Sequence, residues 1–409
     1  MGLKSLPSSI LAGVVVLAIA ACGAAPQPTS PGSIADGSST AQAASASART
    51  AAVPASPLPA PSADQTVDPS APPTNLADAG RILFGRHNPT TDDGFCYSIN
   101  PDGTHETPWA WCGPQSPDGT KILSIFARPN GFGPFLDGRP LTVSVDGTGV
   151  KVLDAYPGRK ISVFCSAWSP DGRRFLCESG ADLTPADDGI YTMRASDGGD
   201  LRRLTTAPAK HEDQPWGYSP DGKRILFLRL SDDDIGAVFT MNLDGSDLVR
   251  LSPPDLSASD FNLPAAWSPD GSQIAFSASR TTTGLRSVFV VNAGGSGLKE
   301  ISPADVGGVD VQWSPDGRWI AFNSRICCGP QVWIVRPDGS DPKQLTAGAD
   351  SSTSLLPIWS PDGSKLLFYR DKGGHQTLWT MASDGTGQTQ IADAGDGFDL
   401  GGYWWSVPR

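Results

Sequence analysis

One tetrapeptide, Ser-Pro-Asp-Gly, occurs six times in this 409-residue chain. The copies are spaced 46 to 53 residues apart and begin at Ser116, Ser169, Ser219, Ser268, Ser314 and Ser360. A period of this length is typical of repeat architectures, in which each unit buries its apolar face against its neighbours. The repeat therefore constrains the fold strongly. It constrains the function much less, because one repeat fold can serve many functions.

One period, residues 263–302, shows the elements that the repeat contains. A short extended run ends at Trp267 and leads into the Pro-Asp-Gly turn. Proline presets φ there, the aspartate caps the backbone and the glycine adopts positive φ. Three further extended runs follow at 272–277, 287–292 and 297–302, separated by a polar loop and a second tight turn. Four short antiparallel strands per period make one blade of a β-propeller.

Counting the parts of the repeat gives seven of each. The first strands contain Trp111, Trp168, Trp216, Trp267, Trp313, Trp359 and Trp405. The first unit begins with its second strand at Arg81, whereas the last unit is a lone first strand at 403–406. Because these ends complement each other, the C-terminal strand is expected to join the N-terminal blade and leave no open edge. We predict an all-β, seven-bladed β-propeller of four-stranded antiparallel blades over residues 78–409, closed by that strand.

The Trp-Ser-Pro-Asp-Gly run, the Ile-Ala-Phe-type strand after it and the Asn-x-Asp-Gly-Ser turn resemble the Pro-Asp variety of WD-like repeat. TolB-like propellers contain this repeat, and so does the non-catalytic propeller of prolyl oligopeptidase-type peptidases. The resemblance covers residues 79–409 and implies the fold without implying one activity. TolB itself has six blades and an extra N-terminal domain, whereas this chain has seven units and a polar segment in place of that domain.

Residues 1–21 are predicted to be a lipoprotein signal peptide. Lys4 supplies a positive charge, and residues 10–21 form an apolar run too short to span a bilayer comfortably. The run Leu17-Ala-Ile-Ala-Ala-Cys22 resembles a bacterial lipobox, in which Cys22 is lipidated and becomes the mature N-terminus. An ordinary cleaved signal with a nearby cysteine is the alternative. The expected location is a bacterial membrane, with the lipid-anchored protein facing outside the cytoplasm.

Residues 22–77 are rich in Ala, Ser, Pro and Thr and contain almost no large apolar side chains. Such a segment cannot bury enough surface to offset the entropy lost on ordering. We therefore expect a disordered tether between the lipidated Cys22 and the propeller.

Composition and motifs narrow the function classes. A formal net charge of −12 disfavours nucleic-acid binding, because the phosphate backbone attracts Lys and Arg. The sequence contains no Gly-x-Ser-x-Gly, His-Glu-x-x-His or Cys-x-x-Cys motif. We expect a monomeric, cofactor-free and non-enzymatic module that binds a protein, peptide or glycan. A lyase or hydrolase with its site in the propeller channel, and a TolB-like component of envelope assembly, are the alternatives.

The loops between second and third strands, and those between blades, vary in length, whereas the Ser-Pro-Asp-Gly turns are uniform. Strand direction alternates, so the two groups lie on opposite faces, and variable loops on a rigid scaffold commonly carry function. The inter-blade loops contain five carboxylates near the first strands: Asp213, Asp260, Asp310, Asp350 and Asp399. They are candidates for an acidic rim at the channel mouth that binds a basic peptide or a cation. Capping of loops by aspartate is the alternative interpretation.

Three consecutive aspartates precede Gly236 in one variable loop. Asp232 and Asp234 are candidate ligands of Ca²⁺, a hard cation that prefers oxygen donors. The spacing matches only the beginning of a calcium loop. A solvated acidic loop is the alternative.

Six cysteines besides the lipidation cysteine form an even number in an exported chain. Two pairs flank hairpin turns and are predicted to form disulfides: Cys165 with Cys177, and Cys96 with Cys112. The adjacent Cys327 and Cys328 would then form either a vicinal disulfide or two free thiols.

Overall fold

A computed structural model of the chain describes residues 80–405, apart from 89, 91–92, 110–111, 125–139, 154–162, 180–187, 209–210, 234, 259–264, 281–283, 285, 325–328, 349–351 and 396–398. The predicted signal peptide and tether lie outside the described residues. The regular structure of the described part consists of 28 strands. Within it, no helical segment has the length and apolar character that crossing a bilayer requires.

The strands are numbered in chain order. The first fourteen are β1 (Ile82–Asn88), β2 (Asp93–Ile99), β3 (Thr107–Trp109), β4 (Lys121–Ser124), β5 (Leu141–Ser144), β6 (Lys151–Val152), β7 (Val163–Trp168), β8 (Arg174–Ser179), β9 (Ile190–Arg194), β10 (Arg202–Arg203), β11 (His211–Tyr218), β12 (Arg224–Ser231), β13 (Gly236–Asn242) and β14 (Val249–Arg250). The others are β15 (Leu256–Ser257), β16 (Ala265–Trp267), β17 (Gln273–Arg280), β18 (Arg286–Asn292), β19 (Lys299–Glu300), β20 (Val309–Trp313), β21 (Ile320–Asn323), β22 (Val332–Val335), β23 (Lys343–Gln344), β24 (Thr353–Trp359), β25 (Lys365–Lys372), β26 (His375–Ala382), β27 (Thr389–Asp393) and β28 (Asp399–Trp405).

These strands form seven antiparallel sheets, so the predicted seven-bladed all-β propeller is confirmed. Blade 1 has the order β28-β1-β2-β3, and blades 2 to 7 follow along the chain, beginning at β4, β7, β11, β15, β20 and β24. First strands of successive blades contact one another, as β7 does with β11 and β20 does with β24. The first strand of each blade therefore lies innermost, next to the propeller axis.

Two blades depart from four regular strands. In blade 5 the predicted single first strand is divided into β15 and β16, and both pair with β17. The eight residues of β17 offer a longer edge than one short strand covers. In blade 2 an isolated bridge between Gln115 and Ile122 stands where the first strand is expected.

Both ends of the described chain contribute to blade 1. β28 pairs antiparallel with β1, from Trp405 opposite Ile82 to Asp399 opposite His87. At the seam between blades 7 and 1, the Leu400 amide also donates a hydrogen bond to Gln376 Oε1 at 2.8 Å. One apolar cluster contains buried residues of both blades. The predicted closure of the ring by the C-terminal strand is therefore confirmed.

Each Ser-Pro-Asp-Gly turn joins the first and second positions of a blade and is capped in the same way. In blade 5 the Ser268 hydroxyl donates to Asp270 Oδ1 at 2.6 Å, and the same oxygen accepts the Ser272 amide at 3.0 Å. Ser268 Oγ in turn accepts the amide of Gln273 at 3.0 Å. Equivalent serine–aspartate bonds occur in the turns that begin at Ser116, Ser169, Ser219, Ser314 and Ser360.

The turns also contact one another around the ring. Gly222 has φ +70°, and the ring of Pro170 in the preceding turn lies 3.5 Å from where its Cβ would stand. The same proline-to-glycine contact, at 3.4 to 3.7 Å, links Pro117 to Gly172, Pro220 to Gly271, Pro269 to Gly317 and Pro315 to Gly363. The six turns therefore form one continuous arc rather than six independent hairpins.

Most of the non-glycine residues with positive φ occupy a second recurring position of the blade. In all seven blades the residue after the second tight turn has φ between 52° and 70°, namely His105, Gly149, Asp200, Asp247, Gly297, Asp341 and Gly387. Aspartate tolerates this region better than most residues, because its short side chain bonds locally. Two of these aspartates also bind an arginine of the second strand, Asp200 with Arg174 and Asp247 with Arg224.

Both predicted disulfides are present. Cys165 and Cys177 are direct cross-strand partners on β7 and β8 and are bonded. Cys96 on β2 is bonded to Cys112, which lies in the segment that enters blade 2. Cys327 and Cys328 lie outside the described residues.

The closing strand provides a direct test of the ring. Leu400 is 1% exposed within the apolar cluster of the seam. We expect Leu400→Ala to lower the free energy of unfolding by about 2–5 kcal/mol, because it leaves a cavity between blades 7 and 1. Urea unfolding measures the change. Leu298→Ala is the matched control, since Leu298 is 37% exposed, and it should change stability by about 0.5 kcal/mol or less. Equal effects of the two variants would contradict the closure.

Candidate binding faces

The propeller has two different ends. We call the end that carries the six Ser-Pro-Asp-Gly turns the turn face. The opposite end, which carries the loops between second and third strands and between blades, is the loop face. The turn face repeats one geometry, and its six turn prolines are all exposed: Pro117, Pro170, Pro220, Pro269, Pro315 and Pro361. The loop face differs from blade to blade.

A cavity of about 550 Å³ opens on the turn face between blades 2 and 3. Trp168, Pro117 and Pro170 give it apolar walls. Its charged lining mixes both signs: Lys121, Arg173 and Arg194 with Asp118 and Asp171. The variable loops predict ligand binding on the other face, and the sequence contains no signal for this cavity. Its lining comes from turns that look alike in sequence, so only their three-dimensional spacing reveals it.

Of the five carboxylates proposed for an acidic rim, the described residues include Asp213, Asp310 and Asp399. Asp260 and Asp350 lie outside the described residues. Asp310 is buried and has φ +58° on the first strand of blade 6. The three described carboxylates thus differ in burial and surroundings, although they occupy similar places in the repeat.

Asp213 forms a buried ion pair. Its carboxylate accepts two hydrogen bonds from the Arg229 guanidinium, at 2.6 Å from Nε and 2.8 Å from Nη2. The guanidinium also lies over the rings of Phe227 and Phe239, at 5.6 and 5.2 Å from their centroids. Asp213 is 1% exposed, so its negative charge is balanced by Arg229 within blade 4 and is not exposed to solvent. Next to it, burial raises the pKa of Glu212, and the charge of Asp213 adds to that shift.

The seam between blades 7 and 1 concentrates histidines and carboxylates on the loop face. Asp399 is the cross-strand partner of His87, which is 4% exposed. Burial raises the pKa of Asp399, the nearby charge of Asp371 raises it further, and His87 lowers it. On the same blade as Asp371, His375 Nε2 lies 3.1 Å from Asp393 Oδ2. We call these five residues the seam cluster.

The chemistry available to the seam cluster is that of hydrogen-bond acceptors and imidazoles. Carboxylates attract ammonium and guanidinium groups, and imidazoles donate or accept hydrogen bonds through their ring nitrogens. Among the described residues, no three His, Cys, Asp or Glu side chains are grouped so that they could hold a metal ion. Asp232, one of the two candidate calcium ligands, is exposed in its loop. The other, Asp234, lies outside the described residues.

The chain is a seven-bladed β-propeller whose blades contain capped Ser-Pro-Asp-Gly hairpins. Residues 256–397, which span most of blades 5 to 7, match the family model of the TolB beta propeller domain. The resemblance drawn from the repeat is thereby confirmed for this part of the chain.

Two curated relatives and one solved structure illustrate the similarity. An uncharacterized protein of Agrobacterium fabrum is 26% identical over 204 residues, covering 49% of this chain and 63% of that protein. A TolB homolog of Chlorobium luteolum is 26% identical over 169 residues, covering 41% of this chain and 36% of the homolog. The chain therefore spans only part of the length of these relatives. A puromycin-hydrolyzing peptidase of Mycobacterium tuberculosis has a TM-score of 0.56 at 14% identity, covering 79% of this chain and 55% of the peptidase. At that identity the structural likeness concerns the fold alone.

Because the pKa of Asp399 is raised, its contribution to the stability of the fold is expected to depend on pH. A carboxylate whose pKa is raised on folding favours the native state below its unfolded pKa of about 3.9, and this contribution is lost as pH rises through the folded value. We therefore expect Asp399→Asn to raise the midpoint of thermal unfolding at pH 7, because the neutral amide avoids the cost of burying a charge and does not repel Asp371. The gain should shrink as pH falls towards 4. Asp232→Asn, in an exposed loop, is the control and should leave the midpoint unchanged. A loss of stability in Asp399→Asn at pH 7 would refute the assignment.

Proposed function

We propose that this chain is an exported, lipid-anchored propeller that binds a protein or peptide partner through its loop face. The observation that carries the proposal is the difference between the two faces. On the turn face the same serine–aspartate cap recurs six times. A surface that repeats one geometry suits a scaffold, whereas discrimination between partners requires features that differ from place to place.

The described residues of the loop face have such features. In blade 4 the charge of Asp213 is balanced by Arg229, whereas at the seam of blades 7 and 1 the charges of Asp371 and Asp399 repel each other. These two carboxylates, in a chain of net charge −12, favour a partner that presents lysine or arginine side chains. The proposed partner is therefore a protein or peptide with a basic contact region.

Export is supported by the covalent structure of the propeller. Two disulfides, Cys96–Cys112 and Cys165–Cys177, are typical of proteins that fold in an oxidising compartment. The lipid anchor rests on the sequence around Cys22, where small residues precede the cysteine at the end of the apolar run. An anchor with two or more acyl chains would hold the propeller stably at a membrane.

Site-specific photo-crosslinking in the producing cells tests which face binds. A photoreactive amino acid is placed at Ile235 or Lys372, which are exposed on the loop face, and at Lys223 or Ser272, which are exposed on the turn face. We expect one discrete crosslinked protein from the loop-face positions and none from the turn-face positions. The reverse pattern would assign binding to the turn face and refute the proposal.

The anchor has its own test. Mass spectrometry of the purified mature protein should find an N-terminus at Cys22 carrying acyl chains, and Cys22→Ala should move the protein from the membrane fraction to the soluble fraction. A mature N-terminus at another residue would exclude lipidation at Cys22. That result would leave the loop-face proposal to be decided by the crosslinks.

A further inference from the structure

The interface between blades 6 and 7 is mostly apolar but contains polar side chains, among them Asn323 and Ser354. Ala321 and Val332 of blade 6 pack in one cluster with Leu366 and Phe368 of blade 7. Asn323 lies two residues after Ala321 on β21 and is the cross-strand partner of Val332. Side chains alternate along a strand and cross-strand partners share a side, so Asn323 faces blade 7.

Ser354 faces the same interface from the opposite side. On β24 it is the cross-strand partner of Arg370, which lies two residues after Phe368 and therefore on the side that faces blade 6. Two hydrogen bonds bring this part of β24 close to the beginning of β22. The Ser354 amide donates to the Pro330 carbonyl at 2.8 Å, and Gln331 Nε2 donates to the Ser352 carbonyl at 2.9 Å.

Both side chains are completely buried, with Asn323 and Ser354 each 0% exposed. Asn323 Nδ2, Asn323 Oδ1 and Ser354 Oγ make no hydrogen bond to any described residue. Buried polar atoms in native proteins nearly always have a partner, because an unpaired atom keeps the full cost of losing its water. Three such atoms facing one apolar interface therefore require a common explanation.

A blade of this fold does not require an amide side chain at the position that Asn323 occupies on β21. The residue that follows the buried phenylalanine of the second strand is Leu228 in blade 4, where it is 0% exposed within an apolar cluster. Blade 6 has Asn323 at the equivalent place after Phe322. A polar side chain that replaces leucine in a core indicates a polar group to bind.

We propose that blades 6 and 7 enclose an ordered water molecule bound by the Asn323 amide and the Ser354 hydroxyl. The water donates to Asn323 Oδ1 and accepts from Ser354 Oγ, and the Asn323 amide N–H groups complete the polar lining of the same site. Buried waters typically make two to four such bonds and are costly to remove. The site adds a hydrogen-bonded link to the apolar contacts of this cluster and to the Gln331–Ser352 bond between the same blades.

A double-mutant cycle in the mature chain tests whether the two residues share one ligand. The unfolding constant is measured in urea for Asn323→Ala, Ser354→Ala and the double variant. We expect the double variant to depart from the product of the single effects by about threefold or more. Ser277→Ala combined with Ser354→Ala is the control, because Ser277 is equally buried but lies on blade 5, and this pair should multiply within about twofold. Multiplicative behaviour of Asn323 and Ser354 would overturn the proposal.

A crystal structure of the same protein separates water from a direct bond. The proposal requires a solvent peak within hydrogen-bonding distance of both the Asn323 amide and Ser354 Oγ. A direct Asn323–Ser354 hydrogen bond, or a dry interface, would overturn it even if the cycle shows coupling. Where Asn323→Ala does not fold, Asn323→Leu replaces it in the cycle, because leucine removes the amide and blade 4 has Leu228 at the equivalent place.

Discussion

The bond between each turn serine and its aspartate is the interaction on which the rest of the propeller depends. It fixes the reversal from the first to the second strand, because one carboxylate oxygen binds both the serine hydroxyl and a backbone amide, as Asp270 does with Ser268 and Ser272. A hydroxyl bond of this kind also holds the pKa of Asp270 below its usual value, so the carboxylate is ionised at neutral pH. The turn then presents its proline to the glycine of the next turn, as Pro220 does to Gly271. The capped turns therefore align neighbouring blades with one another.

Blade 1 is where this alignment depends on contacts between distant parts of the chain. Its first strand comes from the C-terminal part of the described residues, and its other strands come from the beginning. Two features hold it from both sides: the seam contacts with blade 7, and the Cys96–Cys112 disulfide towards blade 2. The charged groups Asp399 and Asp371 sit at the loop-face end of this seam. The most distinctive chemistry of the loop face thus lies where the ring closes.

The sequence predicts the ring well, because its information is local and repeated. Seven Trp-containing strands and two incomplete ends give the blade number and the closure, and the symmetric positions of Cys165 and Cys177 give a disulfide. Residues whose roles depend on a partner elsewhere were harder to assign. Asp213 looks like any rim carboxylate until the register of β11 and β12 places it opposite Arg229, and counting back from the hairpin turn could have found that pair. The division of the first strand of blade 5 and the cavity between blades 2 and 3 depend on three-dimensional spacing, for which the repeat has no signal.

Hydrogen exchange of the backbone amides measures the closed ring most directly. If β28 is an integral strand of blade 1, those of its amides that bond to β1, and the amides of β1, should exchange as slowly as those of β12 in the middle of blade 4. Exchange of β28 within seconds, with β12 still protected, would show that the C-terminal strand is frayed and would contradict the account.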